Sequence, residues 1–345
     1  RSVYDKGPGE RRDNSQIYKF GNNYFVDEGP FGFEPSSVTG INGMRMGAGM
    51  SNARDSSETM SYQFKADFNR QLDRRNNLKF GGEFVVTRSK VNYARYDEFL
   101  PRSNIQTKWD ETPLRGALYL QDKIEYEGMI ATLGLRMDYS HAGGQLYNFY
   151  DNPYSIAFTE EGFENIQNIL EQEQTDHKIT FSPRLAIAFP ITINSKLYFN
   201  YGHFRQLPLP DDLYLIRSNS YTGDITRIGN PNAALQKTVA YELGYEQNLF
   251  NQLLVRAAGY YKDITLQPQL VTYENFDKSV NYDRTEPTNY EDIRGFEITL
   301  NKNRGSWIRG FVNYTYMVST FGYFGYGFYS ENPTEQRQYE RETDY

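Results

Sequence analysis

The stretch MIATLGLRMDYS, residues 129–140, alternates apolar and polar side chains along most of its length. The side chains on one face of an extended strand are apolar: Leu133, Leu135, Met137 and Tyr139. Those on the opposite face are small or polar: Thr132, Gly134, Arg136 and Asp138. A period of two predicts a β-strand. An Arg and an Asp alternating with four large apolar residues favour hydrocarbon on one side and water on the other.

The same period recurs on both sides of this stretch. Residues 114–127 (LRGALYLQDKIEYE) precede it across a turn at Gly128, so the two segments predict a β-hairpin. Four further hairpins are predicted, at residues 58–72 with 78–87, 178–189 with 196–205, 238–247 with 253–265, and 293–300 with 307–319. We therefore expect an all-β, antiparallel structure with about ten or more strands.

Short turns alternate with long connections between these strands. The long connections are residues 92–113, 141–177, 206–237 and 266–292. Structureless loops longer than about 12–15 residues are uncommon in compact soluble domains, whereas outer-membrane barrels have short periplasmic turns and long external loops. The asymmetry predicts a transmembrane β-barrel of the bacterial outer membrane. In the longest loop, residues 159–174 show helical spacing and predict a short surface helix.

Composition supports the barrel and excludes other classes. The 30 Tyr and 23 Phe accompany a mean hydropathy of -0.74, so the aromatic residues are expected to coat a surface rather than fill a large core. No apolar run reaches the roughly 18 residues that a membrane-spanning helix requires. The absence of cysteine excludes disulfides and thiolate metal sites. A net charge of -7 without a basic stripe argues against nucleic acid as a partner.

Five phrases resemble the TonB-dependent outer-membrane receptor family. They are LYLQDKIEYEGMIATLGLRMDYS (118–140), FSPRLAIAFPI (181–191), LYFNYGHFRQLP (197–208), GNPNAALQKTVAYELGYEQ (229–247) and IRGFEITLNK (293–302). They occur in family order over about residues 114–319. The resemblance implies a plugged barrel of about 22 strands. It also implies a periplasmic partner, the TonB complex, which pulls on a short box near the N-terminus.

The whole chain, residues 1–345, is predicted to be part of a single receptor β-barrel domain. Residues 1–57 are expected to be loop-rich, with one candidate strand at 17–26, residues 58–319 to form the five hairpins, and residues 320–345 to form an extracellular loop. No plug domain, energy-coupling box or closing strand is recognised. The chain is therefore expected to be an internal piece of a longer polypeptide, with the TonB contact made by a missing N-terminal region.

The aromatic run FGYFGYGFY, residues 321–329, is the strongest candidate for ligand contact. Exposed aromatic rings on a loop can stack on sugars, haem-like planes or aromatic siderophores, although a membrane girdle or a packed loop explains the run nearly as well. The candidate ligand-binding residues in the external loops are Tyr323, Phe324, Tyr326, Tyr329, Tyr221 and Arg217.

Charged and polar residues give weaker signals. Arg136, Arg184 and Arg205 stand among apolar residues and are predicted to face the lumen, where carboxylates or a plug would pair with them. Asp211 and Asp212, adjacent in an external loop, are a weak calcium candidate, for which a solvated loop is the favoured interpretation.

The histidines and Trp109 suggest no catalytic or metal-binding role. The three histidines, His141, His177 and His203, lack metal-ligand spacing and are expected to be structural or solvated. Trp109 is expected to anchor at the outer membrane interface. No catalytic constellation, metal site or cofactor is predicted.

These features predict ligand-gated, TonB-dependent uptake of a scarce nutrient: an iron-siderophore, cobalamin, oligosaccharide or peptide. Outer-membrane lipid, lipopolysaccharide and a surface lipoprotein are the other expected partners. Two alternatives remain open at this stage. One is a barrel that docks a surface lipoprotein or secretion complex. The other is a soluble β-rich carbohydrate-active protein, which would require an inward pair of carboxylates at glycosidase separation.

Overall fold

A computed structural model describes residues 17–20, 23–26, 53–95, 105–148, 152–155, 158–159, 169–218, 224–302, 304–305 and 307–343. Its strands, in chain order, are β1 (Ile17–Phe20), β2 (Asn23–Val26), β3 (Ala53–Asp55), β4 (Glu58–Gln71), β5 (Asn76–Arg95), β6 (Ile105–Glu111), β7 (Leu114–Tyr126), β8 (Met129–His141), β9 (Gln145–Tyr147), β10 (Gln172–Gln174), β11 (His177–Thr192), β12 (Ser195–Gln206), β13 (Ile216–Ser218), β14 (Ile225–Ile228), β15 (Gln236–Leu249), β16 (Leu253–Glu274), β17 (Asn281–Lys302), β18 (Gly310–Tyr323) and β19 (Phe328–Ser330). The two helices assigned within these ranges are α1 (Pro210–Tyr214) and α2 (Pro333–Thr343). Neither combines the length and the apolar character that a membrane crossing demands.

Ten long strands form one antiparallel meander, which we call the wall. Its order is β4-β5-β7-β8-β11-β12-β15-β16-β17-β18. The five predicted hairpins are the pairs β4–β5, β7–β8, β11–β12, β15–β16 and β17–β18, each in antiparallel register. In the described part of the chain, β4 and β18 each pair with only one other strand, so the wall is an open sheet. The all-β, antiparallel fold is confirmed.

The two faces of the wall have opposite chemistry. The face that we call the apolar face exposes large hydrophobic side chains: Tyr62 is 68% exposed, Leu118 58% and Leu133 51%. The other face, which we call the polar face, carries the charged residues of the same strands, such as Arg136 and Asp138 of β8. Contiguous apolar surface on this scale marks contact with lipid or protein rather than water. The apolar face is therefore a surface suited to contact with lipid or protein, as the sequence predicted for the outside of a barrel.

Tyrosines form a row across the apolar face near the loop end. The rings of Tyr201 and Tyr241, on β12 and β15, lie 5.1 Å apart, and Tyr241 lies 6.3 Å from Tyr261 on β16. The Tyr201 hydroxyl is 2.6 Å from Nε2 of His203. Aromatic rings at one level of a barrel exterior are typical of the belt at the membrane–water interface. The other two histidines, at the ends of β8 and β11, stack on each other: the rings of His141 and His177 lie 4.4 Å apart.

The prediction of a long loop at residues 266–292 is wrong. Strand β16 continues to Glu274 and β17 begins at Asn281, which leaves a connection of only six residues. Pro268 and Pro287 lie within these two strands, although proline cannot donate a backbone hydrogen bond to a sheet. The sheet absorbs this irregularity through register shifts between Ile264, Gln267 and Gln269. The extended ends of β16 and β17 therefore project beyond the wall on the long-loop side.

The other predicted loops also contain structure. Residues 92–113 include β6, which pairs with β5, and residues 206–237 include α1, β13 and β14. Residues 320–345 were predicted to be loop, but β18 reaches Tyr323 and is followed by β19 and α2. Of the predicted helix at 159–174, residues 172–174 are strand β10, and residues 160–168 lie outside the described residues. The candidate strand at 17–26 is a pair of short strands, β1 and β2.

Glycine opposite tyrosine is a recurring contact between neighbouring strands. A Cβ placed at Gly244 of β15 would overlap the phenol ring of Tyr198 on β12. Tyr119 covers Gly81 in the same way, and Tyr260 covers Gly295. At these positions the absent side chain lets a ring lie flat against the next strand, so wall packing depends on the glycine.

We expect Gly244→Val to lower the temperature at which the folded full-length protein converts to its unfolded form on a gel. The added branched side chain must displace the Tyr198 ring, and overpacking of this kind costs about 1–3 kcal/mol. Gly259→Ala is the matched control, because a Cβ there meets nothing closer than a backbone oxygen at 3.9 Å. Equal unfolding temperatures for the two variants would contradict the packing role of Gly244.

Candidate functional site

The predicted aromatic run divides into an exposed part and a packed part. Phe324 is 63% exposed and Tyr323 is 42% exposed at the end of β18, so both rings are available to a ligand. Tyr326 and Tyr329 are instead partly buried. The Tyr329 ring stacks on Tyr273 with centroids 5.5 Å apart. The structure therefore gives Tyr329 a packing contact, and the Phe324 ring lies 4.8 Å from that of Tyr290. Ligand contact by Tyr323 and Phe324 stays a prediction.

The external segments pack on one another through a hydrophobic cluster that we call the loop core. Its buried members are Phe158, Leu170, Ile225, Ile228, Val271, Tyr273, Val280 and Tyr282. The Tyr282 ring stacks on Phe158 at 4.0 Å and on Tyr273 at 5.6 Å. These residues come from the 142–176 connection, from β14, from the projecting ends of β16 and β17, and, for Val280, from the connection between those two strands. The external segments consequently form one packed body.

A buried arginine lies at the base of the loop core. Arg284 is 6% exposed, its guanidinium lies 4.4 Å from the centre of the Tyr273 ring, and its Nη2 donates a hydrogen bond of 2.7 Å to the Tyr273 hydroxyl. Burial raises the pKa of Tyr273 to about 12, although Arg284 opposes the shift. Burial also disfavours the charged form of Arg284, but Glu286 and the nearby tyrosines outweigh it and raise its pKa. A buried charge needs such partners, so this cluster is held in one arrangement.

A second cluster joins the wall to the 206–237 segment. Trp109 donates its indole N–H to Ser89 Oγ at 2.9 Å, and its ring lies 6.0 Å from Tyr214. Register places Trp109 opposite Val91, on the side of β5 away from Phe80 and the apolar face. The expectation that Trp109 anchors at the membrane interface is therefore wrong. The pairing of β6 with β5 decides which face of the sheet each β6 side chain lies on, and the sequence alone does not show that pairing.

The short helix α1 separates two cavities on this side of the sheet. It begins at Pro210, which suits a first helical position, and it buries Leu213 and Tyr214. The cavities have volumes of about 270 Å³ and about 260 Å³, and both are lined by Leu213, Tyr214 and Pro231. The Tyr214 hydroxyl donates a hydrogen bond of 2.5 Å to the Ala142 carbonyl. Burial, with a contribution from Glu111, raises the pKa of Tyr214, so this hydroxyl stays protonated.

The weak calcium candidate is Asp211 with Asp212, and the two remaining ligand candidates are Arg217 and Tyr221. Asp212 pairs with Arg227 at 3.3 Å, and Asp211 is exposed. In the described ranges no three acidic or histidine side chains converge as a metal site would require. Arg217 is partly exposed on β13, and Tyr221 lies outside the described residues.

Of the three arginines predicted to face the lumen, Arg136 and Arg184 lie on the polar face, whereas alternation along β12 places Arg205 on the same side as Tyr201. Arg136 lines a cavity of about 140 Å³ together with Arg205, and a neighbouring cavity of about 200 Å³ together with Arg184. Arg136 forms an ion pair with Asp138 at 2.7 Å. Arg184 lies 4.8 Å from the centre of the Phe204 ring. Sequence spacing alone could not show that strands β8 and β11 bring Arg136 and Arg184 to one patch.

Comparison with known proteins gives a family and a fold. A family model described as TonB dependent receptor-like, beta-barrel, matches residues 5–339. No curated protein sequence is similar enough to count as a relative. Among solved structures, a double mutant of the Serratia marcescens hemophore receptor HasR, in complex with its hemophore HasA and heme, aligns with a TM-score of 0.54 at 17% identity. The alignment covers 77% of this chain and 42% of that one.

Two further solved structures show the same architecture. The outer membrane transporter YddB from Escherichia coli aligns with a TM-score of 0.53 at 13% identity, covering 77% of this chain and 34% of that one. A mutant of the ferric enterobactin receptor PfeA from Pseudomonas aeruginosa, in complex with enterobactin, gives 0.51 at 14% identity, covering 76% and 36%. The chain thus spans less than half the length of these structures.

We expect Phe158→Ala to loosen the external segments without weakening the wall. Removing a buried phenyl ring costs about 3–5 kcal/mol, and Phe158 contributes the closest stacked contact of the loop core. Limited proteolysis of the full-length protein should cut the external segments at least about tenfold faster, since about 1.4 kcal/mol corresponds to a factor of ten. The temperature of wall unfolding should be unchanged.

Phe276→Ala is the control for that variant. Phe276 is 65% exposed in the connection between β16 and β17, so its removal leaves no cavity. Equal cleavage rates for wild type and Phe158→Ala would show that the external segments do not depend on the loop core.

Proposed function

The chain belongs to the TonB-dependent receptor β-barrel family, and from that premise we propose that it forms part of the wall and ligand-capturing surface of a nutrient importer. The wall lies in the bacterial outer membrane with its apolar face toward lipid. The external segments would capture a scarce ligand, which would then move along the polar face into the periplasm. Energy would come from the TonB complex through a region of the polypeptide outside this sequence.

One observation carries the proposal: a single sheet combines a lipid-facing surface, a charged opposite face and a packed body of loops at one end. A docking platform needs the loops and the apolar face, but it has no use for cavities lined by charged side chains on the opposite face. Transport uses all three. No catalytic step is proposed, because the family and the aligned structures are receptors and transporters.

The class of ligand is proposed from this chain's own surface. One aligned structure contains heme and another contains enterobactin. At their low sequence identity to this chain, the likeness shows the fold alone and not the ligand. The exposed rings of Tyr323 and Phe324 would stack on a ligand with planar or ring-shaped parts. An iron-siderophore, cobalamin or an oligosaccharide offers such parts, and a peptide offers them through its aromatic side chains.

Further partners follow from the same surfaces. Membrane lipid, with lipopolysaccharide in the outer leaflet, is the proposed neighbour of the apolar face and its tyrosine row. A surface lipoprotein remains a prediction, and the surface offered to it would be the exposed end of β18, where Phe321 is 83% exposed.

Uptake by cells that produce the full-length protein tests the proposed function. We expect at least one of four probes, ferric citrate, haem, cyanocobalamin and maltoheptaose, to accumulate faster than in cells lacking the gene. An uncoupler that collapses the proton gradient should remove the difference, because transport is energised. Failure of all four probes to accumulate above the gene-deleted background, or accumulation that ignores the uncoupler, would contradict the proposal.

The exposed aromatic pair gives a second test. We expect the double variant Tyr323→Ala, Phe324→Ala to bind the transported probe about tenfold more weakly, the loss expected when about 1.4 kcal/mol of stacking is removed. Phe250→Ala is the control, because Phe250 is 89% exposed in the short turn at the opposite end of the wall. Unchanged affinity in the double variant would exclude this pair as a ligand contact.

A further inference from the structure

The apolar face changes its chemistry just beyond the tyrosine row, on the side of the long connections. Side chains on one face of a strand recur at every second residue. On β12 this face therefore continues from Tyr201 through His203 to Arg205, and on β15 it continues from Tyr241 to Lys237. The surface passes from aromatic rings to cations within four residues of each strand.

The two cations at the end of this progression are neighbours. Arg205 and Lys237 are directly opposite each other in the register of β12 with β15. Both charges lie near the ring of His203, whose Nε2 is 2.6 Å from the Tyr201 hydroxyl of the tyrosine row. Like charges directly opposite each other in an antiparallel pair repel and destabilise the sheet. The pair therefore needs a counter-charge.

The described part of the chain does not supply that counter-charge. Within those ranges neither Arg205 nor Lys237 forms an ion pair, and the buried Nε of Arg205 has no hydrogen-bond partner. The acidic residues nearest on the same face, Asp263 and Asp292, lie on β16 and β17. The Asp292 carboxylate already accepts a hydrogen bond of 2.5 Å from the Tyr261 hydroxyl.

The rest of a barrel would not supply the counter-charge either. A domain inside the barrel would meet the polar face, whereas Arg205 and Lys237 belong to the opposite face of the sheet. Further strands would join the wall at β4 and β18, and the wall order separates both of these edges from β12 and β15. The partner of the pair is therefore a molecule that surrounds the wall.

The pair lies at the depth of the lipid headgroups. Aromatic rows of this kind mark the membrane–water interface, and four residues of strand advance about 13 Å. For a strand tilt of about 40° this is about 10 Å along the membrane normal. The polar layer outside the hydrocarbon is about 5–8 Å thick, and long Arg and Lys side chains can extend back into it. On the side of the long connections this layer belongs to the outer leaflet.

We propose that Arg205 and Lys237 bind a phosphate group of an outer-leaflet lipid, the phosphorylated lipid A part of lipopolysaccharide. This inference rests on the proposed function, in which lipopolysaccharide is a neighbour of the apolar face, and it assigns the site of contact. A guanidinium group offers paired N–H donors to a phosphate, and an ammonium group adds a compact positive charge. A phosphate between them replaces one repulsive contact by two attractive ones.

The surrounding surface favours a lipid over a free anion. On the membrane side of the pair the same face exposes apolar side chains, among them Leu243 at 55% and Phe181 at 56%. A lipid matches both parts of this surface, because its headgroup carries the phosphate and its acyl chains cover the apolar residues. Inorganic phosphate would match only the two cations.

Native mass spectrometry of the full-length protein in a neutral detergent tests the proposal with three probes: bisphosphorylated lipid A, its dephosphorylated form and inorganic phosphate. We expect the bisphosphorylated lipid to bind wild type most tightly. The variant Arg205→Gln, Lys237→Gln should bind it at least about tenfold more weakly, which corresponds to about 1.4 kcal/mol, because both charge-assisted contacts are lost. The dephosphorylated lipid should bind both proteins equally.

Further variants separate charge from packing. Lys237→Arg keeps the charge and should retain binding, whereas Lys237→Gln alone should show a smaller loss and covers the case in which the double variant does not fold. The matched control is Arg74→Gln, Arg75→Gln, because these adjacent cations lie in the short turn between β4 and β5 at the opposite end of the wall. The control should leave lipid A binding unchanged.

Unfolding temperature is an independent measurement on the same proteins. Without lipid, the variant Arg205→Gln, Lys237→Gln should unfold at a higher temperature than wild type, because the repulsion between the two cations is removed. Bisphosphorylated lipid A should raise the unfolding temperature of wild type more than that of the variant, because a ligand stabilises the state that binds it.

Three outcomes would overturn the proposal. The first is equal affinity of wild type and the double variant for bisphosphorylated lipid A. The second is inorganic phosphate that binds as tightly and is equally sensitive to the variants, since the site would then take a free anion. The third is a lower unfolding temperature of the double variant without lipid, since the two cations would then be satisfied within the protein. These measurements need no energised membrane, so their failure is distinguishable from a failure of uptake in cells.

Discussion

The structure depends on one constraint: a backbone that crosses hydrocarbon must satisfy every N–H and C=O group from within the protein. An antiparallel sheet achieves this because each strand pairs with both neighbours, and every wall strand from β5 to β17 has a partner strand on each side. Side chains are then free to alternate between two solvents. The same chain can carry Leu133 and Leu135 toward lipid while Arg136 and Asp138 remain hydrated, since adjacent residues of a strand point to opposite faces.

The two open edges of the wall do not yet meet this constraint. Strands β4 and β18 each leave a row of backbone groups unpaired in the described part of the chain. A barrel removes such edges by closing. The aligned structures are more than twice as long as the portion this chain covers, and a wall completed by further strands would satisfy both edges.

The wall could be predicted from the sequence because its period is local. Each strand shows its alternation within its own residues, and the five phrases at strand ends resembled the family. The predictions that failed depended on contacts between residues that are far apart in the sequence. The pairing of β6 with β5 places Trp109 away from the apolar face, and the pairing of β16 with β17 continues through residues that were predicted to be loop. Tyr329 packs on Tyr273, 56 residues earlier, through a contact that no sequence window contains. Bringing Arg136 and Arg184 together required both alternation, which the sequence shows, and the register of β8 against β11, which it does not.

The most direct test of the account is the alternation itself, measured in a membrane. The chain has no cysteine, so single cysteines can be placed at each of residues 132–138 of the full-length protein and spin-labelled one at a time. In lipid bilayers, labels at 133, 135 and 137 should collide mainly with oxygen, which concentrates in hydrocarbon. Labels at 132, 134, 136 and 138 should collide mainly with a water-soluble nickel complex. Accessibility that varies smoothly along the segment, or that is aqueous at every position, would contradict a wall with one face in lipid.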